Sequence, residues 1–280
     1  MDTRIPTSVR PILNDYIVIF NETFPNMLEG FYLHGSIALD AYCQGMSDID
    51  FMAIVNRPFT EEELMVLTNI HLALHNQSKT IVMDGSYIVR EEIGKKPTAA
   101  TKCFYVNEGK VQQSNHEMNP VTWWILKNKG ITVFGTDLTT FHFEVDDNNL
   151  AYYVLTNMNH YWFNRMNTLK KYKKVAPFLS NKFIDQEIQW SITGLLRQFY
   201  TLKEHGIISK VEAAKYAIEV MPVRWHPIIQ ESISIREGLK LRYIKSKTQR
   251  VNDTIDCMEY IINECNHIQQ WNEQFVKQDM

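Results

Sequence analysis

Apolar positions in the first half of the chain switch between helical and strand periods. Ile12, Leu13, Tyr16, Ile17, Ile19 and Phe20 fall at helical spacing within residues 8–29, and Pro25 closes that stretch, so a helix leads into the first strand. Phe31, Tyr32, Leu33 and His34 read as that strand, short and ending at Gly35, and the apolar run from Phe51 to Val55 continues a second strand. Between them Ser36 opens a short helical stretch, residues 37–42. Thr60 before Glu61, Glu62 and Glu63 starts a longer helix, with Glu63 completing a capping box and the acidic first turn meeting the positive end of the dipole. Residues 79–91 read as a third strand, 92–118 as loops around one strand at 101–106, 120–129 as a short helix and 131–135 as a short strand. From Leu150 onward the pattern is helical almost throughout, in segments 151–172, 185–206, 209–221 and 252–275, which predicts a bundle of four or five helices. The boundary falls within 141–149. Two domains are expected: an α/β unit over 1–145, a mixed sheet with flanking helices, and an all-α helical bundle over 146–280.

A chain of 280 residues has room for two such domains and a sizeable core. The net charge of −3 gives no global field for a polyanion, so a small substrate fits better than a nucleic acid. Cys43, Cys103, Cys257 and Cys265 show no paired spacing for zinc or a disulfide framework and read as reduced, mostly buried thiols. The N-terminus has no apolar signal region, and no run approaches the roughly 18 apolar residues of a membrane span, so a cytoplasmic protein is expected, with a monomer favoured.

The chemistry concentrates at FYLHGSIALDAYCQGMSDIDFMAIV, residues 31–55, where Gly35-Ser36 and Asp48-Ile49-Asp50 are separated by eleven residues. Side chains two apart on a strand share a face, so Asp48 and Asp50 present paired carboxylates that call for a cation, and oxygen ligands of this kind suit one or two Mg²⁺ ions. Gly35, lacking a Cβ, lets the backbone approach a phosphate, and Ser36 adds a hydroxyl and free N–H groups at a helix start. Asp84 admits two readings. In one it faces the site from the third strand, with Gly85 permitting close approach of a ligand; in the other Asp84-Gly85 is a hairpin turn. Glu91 and Glu92 are the fallback acids. His34, His116 and Glu117 show no transition-metal spacing, Trp123-Trp124 reads as helix packing, and Lys170–Lys174 as a solvated face.

Strand, Gly-Ser, a dozen residues and Asp-x-Asp on a strand resemble the signature of the DNA polymerase β-like nucleotidyltransferase superfamily, over roughly the first 140 residues. The resemblance implies that Asp48 and Asp50 hold Mg²⁺ with Asp84 as third carboxylate and general base, although the antibiotic-modifying branch generally carries Glu there. It also implies that Gly35 and Ser36 grip the triphosphate of ATP. LLRQFYTLKEHGIISKVEAAKYAIEVMP, Leu195 to Pro222, is similar to a stretch of the aminoglycoside adenylyltransferases that modify streptomycin and spectinomycin. By that similarity Lys210, following the N-cap candidate Ser209, contacts the triphosphate, and Arg197 is a second anion-binding candidate, a structural salt bridge being the competing reading. Glu187 and Trp190, ten and seven residues before Arg197, share its helix face. Glu187 suits an ammonium of the acceptor; Trp190 is either an acceptor contact or core packing. The implied activity is AMP transfer from ATP to a hydroxyl of an aminoglycoside or aminocyclitol, releasing pyrophosphate, in a cleft between the domains. The alternatives are another acceptor, such as a lincosamide or a protein side chain, or an inactive nucleotide-binding module.

Overall fold

The computed structural model describes residues 2–77, 82–239 and 241–278, and the chain divides into two compact units, Met1–Asp146 and Asp147–Met280. The first is built from α1 (Arg10–Thr23), β1 (Leu28–Leu33), α2 (Gly35–Ala38), β2 (Ile49–Val55), α3 (Glu61–Gln77), β3 (Met83–Val89), β4 (Phe104–Asn107), β5 (Lys110–Gln113), α4 (Pro120–Lys129) and β6 (Ile131–Gly135). Its six strands form one mixed sheet in the order β5-β4-β3-β2-β1-β6. Only β2 and β3 run parallel; the other neighbours are antiparallel.

Strand alternation sorts the side chains onto two faces. Phe31, Leu33, Phe51, Ala53, Val55, Tyr87, Phe104 and Val106 pack on one face against α1 and α3 through Tyr16, Phe20 and Leu67. Within this layer Tyr16 and Tyr87 share a hydroxyl hydrogen bond, and His71 Nε2 meets the Tyr87 hydroxyl at 2.7 Å. Burial pushes the His71 imidazole down to about 3, so it stays neutral. Tyr32, Met52, Ile54 and Ile88 face the opposite layer, which is closed by Trp123 and Leu126 of α4 and by Phe141, Phe143 and Val145. Trp123 is thus helix packing as expected, and its Nε1 donates to the Lys95 carbonyl at 3.2 Å.

Several local expectations are realised in detail. Thr60 Oγ1 accepts from Glu63 N at 3.2 Å while Glu63 Oε2 accepts from Thr60 N at 2.9 Å, the reciprocal capping box that starts α3. At α4, Asn119 caps by accepting from the amides of Val121 and Thr122, with Pro120 in the first turn.

Others are corrected. The helical stretch expected over 37–42 is the single turn Gly35–Ala38, ended where Asp40 takes positive φ. The third strand is shorter than 79–91, spanning Met83–Val89, and residues 79–81 lie outside the described residues. The loop region 92–118 holds two strands rather than one: β4 and β5 form a hairpin across Glu108-Gly109, both at positive φ.

The second unit is helical: α5 (Asp147–Asn157), α6 (Phe163–Tyr172), α7 (Asn181–Glu204), α8 (Lys210–Val220), α9 (His226–Arg236) and α10 (Lys247–Gln278). A π turn, Met158–Trp162, interrupts the helix expected over 151–172. It brings Trp162 onto Gly194, where a Cβ would lie 2.5 Å from the indole ring. α9 has no counterpart in the expected helices; Pro227 sits in its first turn, where proline is tolerated. α7 is buried on every side from Ser191 to Leu196 and packs against α8, α9 and α10. Lys170 and Lys173 lie half-buried, paired with Glu259 and Asp256 of α10, while Lys171 and Lys174 are exposed. Among the described residues no helix is long and apolar enough to cross a membrane. All four cysteines are unbridged, three of them buried and Cys43 half-buried.

Candidate active site

The alternation that buries Met52 and Ile54 carries Asp48 and Asp50 to the same face, at the end where β2 begins. Asp48 is exposed and lies one residue before the strand; Asp50 is its second residue and half-buried. In the parallel β2–β3 ladder Asp50 is the register partner of Asp84, on the face shared with Ser86 and Ile88. Asp84-Gly85 is therefore strand, and the hairpin-turn reading falls. Gly85 is required for a different reason from the one expected: a Cβ there would lie 2.2 Å from the Phe51 carbonyl oxygen, so its smallness serves strand packing.

β1 delivers the other half. The His34 amide donates to the Asp50 carbonyl at 3.0 Å, extending the β1–β2 ladder by one rung, and the chain then turns at Gly35 with φ of +59°. A Cβ on Gly35 would lie 1.8 Å from Asp50 Oδ2. What approaches this glycine is thus the Asp50 carboxylate, which also accepts from the Ser36 amide at 3.4 Å. The Ser36 hydroxyl is buried and has no hydrogen-bond partner among the described residues. Gly35→Ala combines the left-handed strain with this collision, so it is expected to lower turnover by at least about tenfold while destabilising the fold by about 1–2 kcal/mol, measured by steady-state kinetics and chemical denaturation.

Two side chains without a sequence signal join the set. Glu117, in the loop before α4, lies with Oε2 3.3 Å from the buried His34 Nε2 and accepts from Thr122 Oγ1 at 3.3 Å. Tyr105 of β4 is on the carboxylate face; burial and then the negative charges of Glu117, Asp84, Asp50 and Asp48 drive its phenol well above the ordinary range. The fallback acids Glu91 and Glu92 sit beyond the far end of β3, roughly 20 Å along the strand from Asp84, and are not brought to the site.

The carboxylates pay electrostatically for their clustering. Burial, with Glu117 and Asp48 adding repulsion, raises Asp50 to about 6 against the opposing pull of His34 and the Ser36 amide. Burial raises Asp84 to about 7, opposed by the Glu108 amide donating at 2.9 Å and reinforced by Asp48, Asp50 and Glu108. Both folded-state values lie above the usual carboxyl range, so the stability these groups contribute is present below about pH 4 and is lost as pH rises through about 7. A divalent cation reverses that penalty where the groups are ionised. The melting temperature is expected to rise on adding Mg²⁺ at pH 8 and hardly at all at pH 5.5; a pH-independent Mg²⁺ effect would contradict the assignment.

Hard, half-buried oxygen donors under mutual repulsion and an orphaned serine hydroxyl fit Mg²⁺ and a phosphate. Among the described residues no three His, Cys, Asp or Glu side chains gather closely enough to hold a metal alone. Mg²⁺ ordinarily relies on a few carboxylates completed by water and substrate phosphates.

The remaining candidates lie in the second unit. Glu187, Trp190 and Arg197 project from α7 and Lys210 opens α8. Glu187 forms a salt bridge with Arg165 at 2.6 Å, so it already has a cationic partner other than a substrate. Trp190 is 41% exposed, which overturns core packing as its role. The Lys210 ammonium lies 4.3 Å from the Trp190 ring centroid. Arg197 is half-buried.

A family model described as aminoglycoside adenylyltransferase, C-terminal domain, matches residues 173–260. No curated protein sequence matches the chain. Among solved structures, the crystal structure of spectinomycin adenyltransferase AAD(9) from Enterococcus faecialis with ATP and spectinomycin is similar, with a TM-score of 0.63 and 16% identity over 89% of this chain and 99% of that chain. At that identity the likeness is one of fold. Together the two findings bear out the resemblance to the aminoglycoside adenylyltransferases, and the matched segment contains Glu187, Trp190, Arg197 and Lys210.

Proposed function

We propose, on the strength of this resemblance, that the chain is a nucleotidyltransferase that moves AMP from ATP to a hydroxyl of an aminocyclitol or aminoglycoside of the spectinomycin or streptomycin type. The observation that carries the reading is the register pairing of Asp50 with Asp84, with Asp48 on the same face and Gly35-Ser36 against Asp50. In this reading Asp48 and Asp50, with Asp84 as third carboxylate, would hold Mg²⁺, which when bound neutralises triphosphate charge. The Ser36 hydroxyl and the backbone of Gly35 and Ser36 bind the β- and γ-phosphates, and Lys210 and Arg197 are the basic groups assigned to the nucleotide. Asp84, raised to about 7, accepts the proton of the acceptor hydroxyl as its oxygen bonds to the α-phosphorus. The bond from the α-phosphorus to its bridging oxygen breaks and pyrophosphate leaves.

The experiment is incubation of purified protein with ATP, Mg²⁺ and a drug panel, with products read by mass spectrometry. An AMP adduct on an aminocyclitol or aminoglycoside supports the reading; no adduct on any drug rejects it. One observation favours a second reading, transfer to a less cationic acceptor such as a lincosamide: Glu187, the acid suited to an ammonium, is already matched by Arg165. An adduct on the lincosamide members alone would establish that alternative.

A further inference from the structure

We infer that Trp190 is a positioning residue for Lys210, holding its ammonium ready for the phosphates of the nucleotide. The inference rests on the reading of Lys210 as a nucleotide contact and adds to it a residue whose role is to fix the lysine.

Lys210 is the first residue of α8, and its backbone is set by a closed capping box: Ser209 Oγ accepts from Glu212 N at 3.2 Å, and Glu212 Oε2 accepts from Ser209 N at 3.0 Å. A cation at this helix end meets the positive pole of the dipole, and its long, flexible side chain loses rotamer entropy on ordering. The electron-rich face of an indole counters both, because it attracts the ammonium and confines it. The geometry meets that requirement, with Lys210 Nζ 4.3 Å from the Trp190 centroid.

The tryptophan is itself held. Its Nε1 donates to the Tyr161 hydroxyl at 3.2 Å, and its ring lies 6.5 Å from that of Trp162. Both partners come from the π turn Met158–Trp162, and Trp162 is seated by the missing Cβ of Gly194. Ala213, Ala214 and Ala217 are fully buried in the packing of α8 on α7, and small residues there let the two helices approach closely. An exposed tryptophan with an anchored edge and a cation on its face is a support that a simple packing residue does not need.

The test compares Trp190→Leu, Trp190→Phe, Lys210→Met and Trp190→Leu/Lys210→Met, with thermal melts confirming that each folds. Mg-ATP dissociation constants are read by calorimetry, and KM and kcat by the transfer assay. Trp190→Leu is expected to weaken Mg-ATP about three- to tenfold with kcat changed less than about twofold, and Trp190→Phe to recover part of the loss. Lys210→Met should weaken binding further, and the double variant should match it, since the tryptophan acts only through the lysine. Trp190→Leu binding Mg-ATP like the unmutated protein, additive losses in the double variant, or a rise confined to the acceptor KM would each overturn the positioning role while leaving nucleotidyl transfer standing. Unchanged Mg-ATP binding by Lys210→Met removes the lysine contact and the inference with it. Transfer by the unmutated protein decides the functional reading separately.

Discussion

Asp50→Asn is expected to lower nucleotidyl transfer by about 10²- to 10³-fold and, in metal-free protein at pH 8, to raise stability. The two effects have one cause. Asp50 is the most constrained of the carboxylates: its chain neighbours bury it, Gly35 has no Cβ where its Oδ2 sits, and the Ser36 amide donates to it. Asparagine keeps the volume and can still accept that amide, so the change removes charge rather than shape. In the proposed reading, removing charge would take away a ligand oxygen for Mg²⁺ and with it the neutralisation of the triphosphate, a loss of the size seen when a single electrostatic group is deleted from a preorganised site. It also removes an anion that burial, Glu117 and Asp48 hold at about 6, whose ionisation at pH 8 opposes folding by on the order of 3 kcal/mol. Steady-state kinetics with ATP and Mg²⁺, together with urea denaturation in EDTA, check both halves. Turnover that survives the substitution would place the chemistry elsewhere. Survival of activity together with loss of stability would mean that Asp50 is an ordinary buried acid.

How much of the fold and site was legible in the sequence depended on whether the signal was local. Alternation put Asp48 and Asp50 on one face and the capping box at Thr60 fixed the start of α3, because both are set by residues within a few positions of one another. Gly35 was legible as a special position, but its reason was not: the collision that excludes a side chain involves Asp50, fifteen residues on, and becomes visible only when β1 and β2 pair. Asp84 stood between strand and turn until the parallel β2–β3 register put it opposite Asp50. Glu117 had no sequence signal, since a loop glutamate reaches His34 only through the placement of α4 behind the sheet. Trp190 stood between acceptor contact and core packing, and the structure removes only the second. The face it occupies is open, and its partners arrive through a π turn that no periodicity announces.

Arg250→Met is expected to destabilise the second unit by about 3–5 kcal/mol, the largest stability effect of any single substitution considered. Arg250 of α10 is completely buried, with its Nε donating to Glu231 of α9 and a terminal nitrogen to Asp185 of α7. Glu231 is equally buried, and its second oxygen accepts from the amides of Tyr243 at 2.9 Å and Ile244 at 3.0 Å. One guanidinium thus joins three helices and, through the glutamate, the segment leading into α10. Methionine fills much of the volume but leaves the Glu231 carboxylate without a counter-ion away from water, and that uncompensated charge is the main cost. Adding Glu231→Gln should therefore recover part of the loss: the amide oxygen still accepts from the Tyr243 and Ile244 backbone, while the charge is gone. Recovery would be incomplete, because the bond to Asp185 and the packing of the guanidinium are not restored. Urea denaturation of the single and double variants measures the difference. A loss below about 1 kcal/mol for Arg250→Met, or a double variant no better than the single, would show that the joint is held by apolar packing of α7 and α10 and that the buried charges are incidental to it.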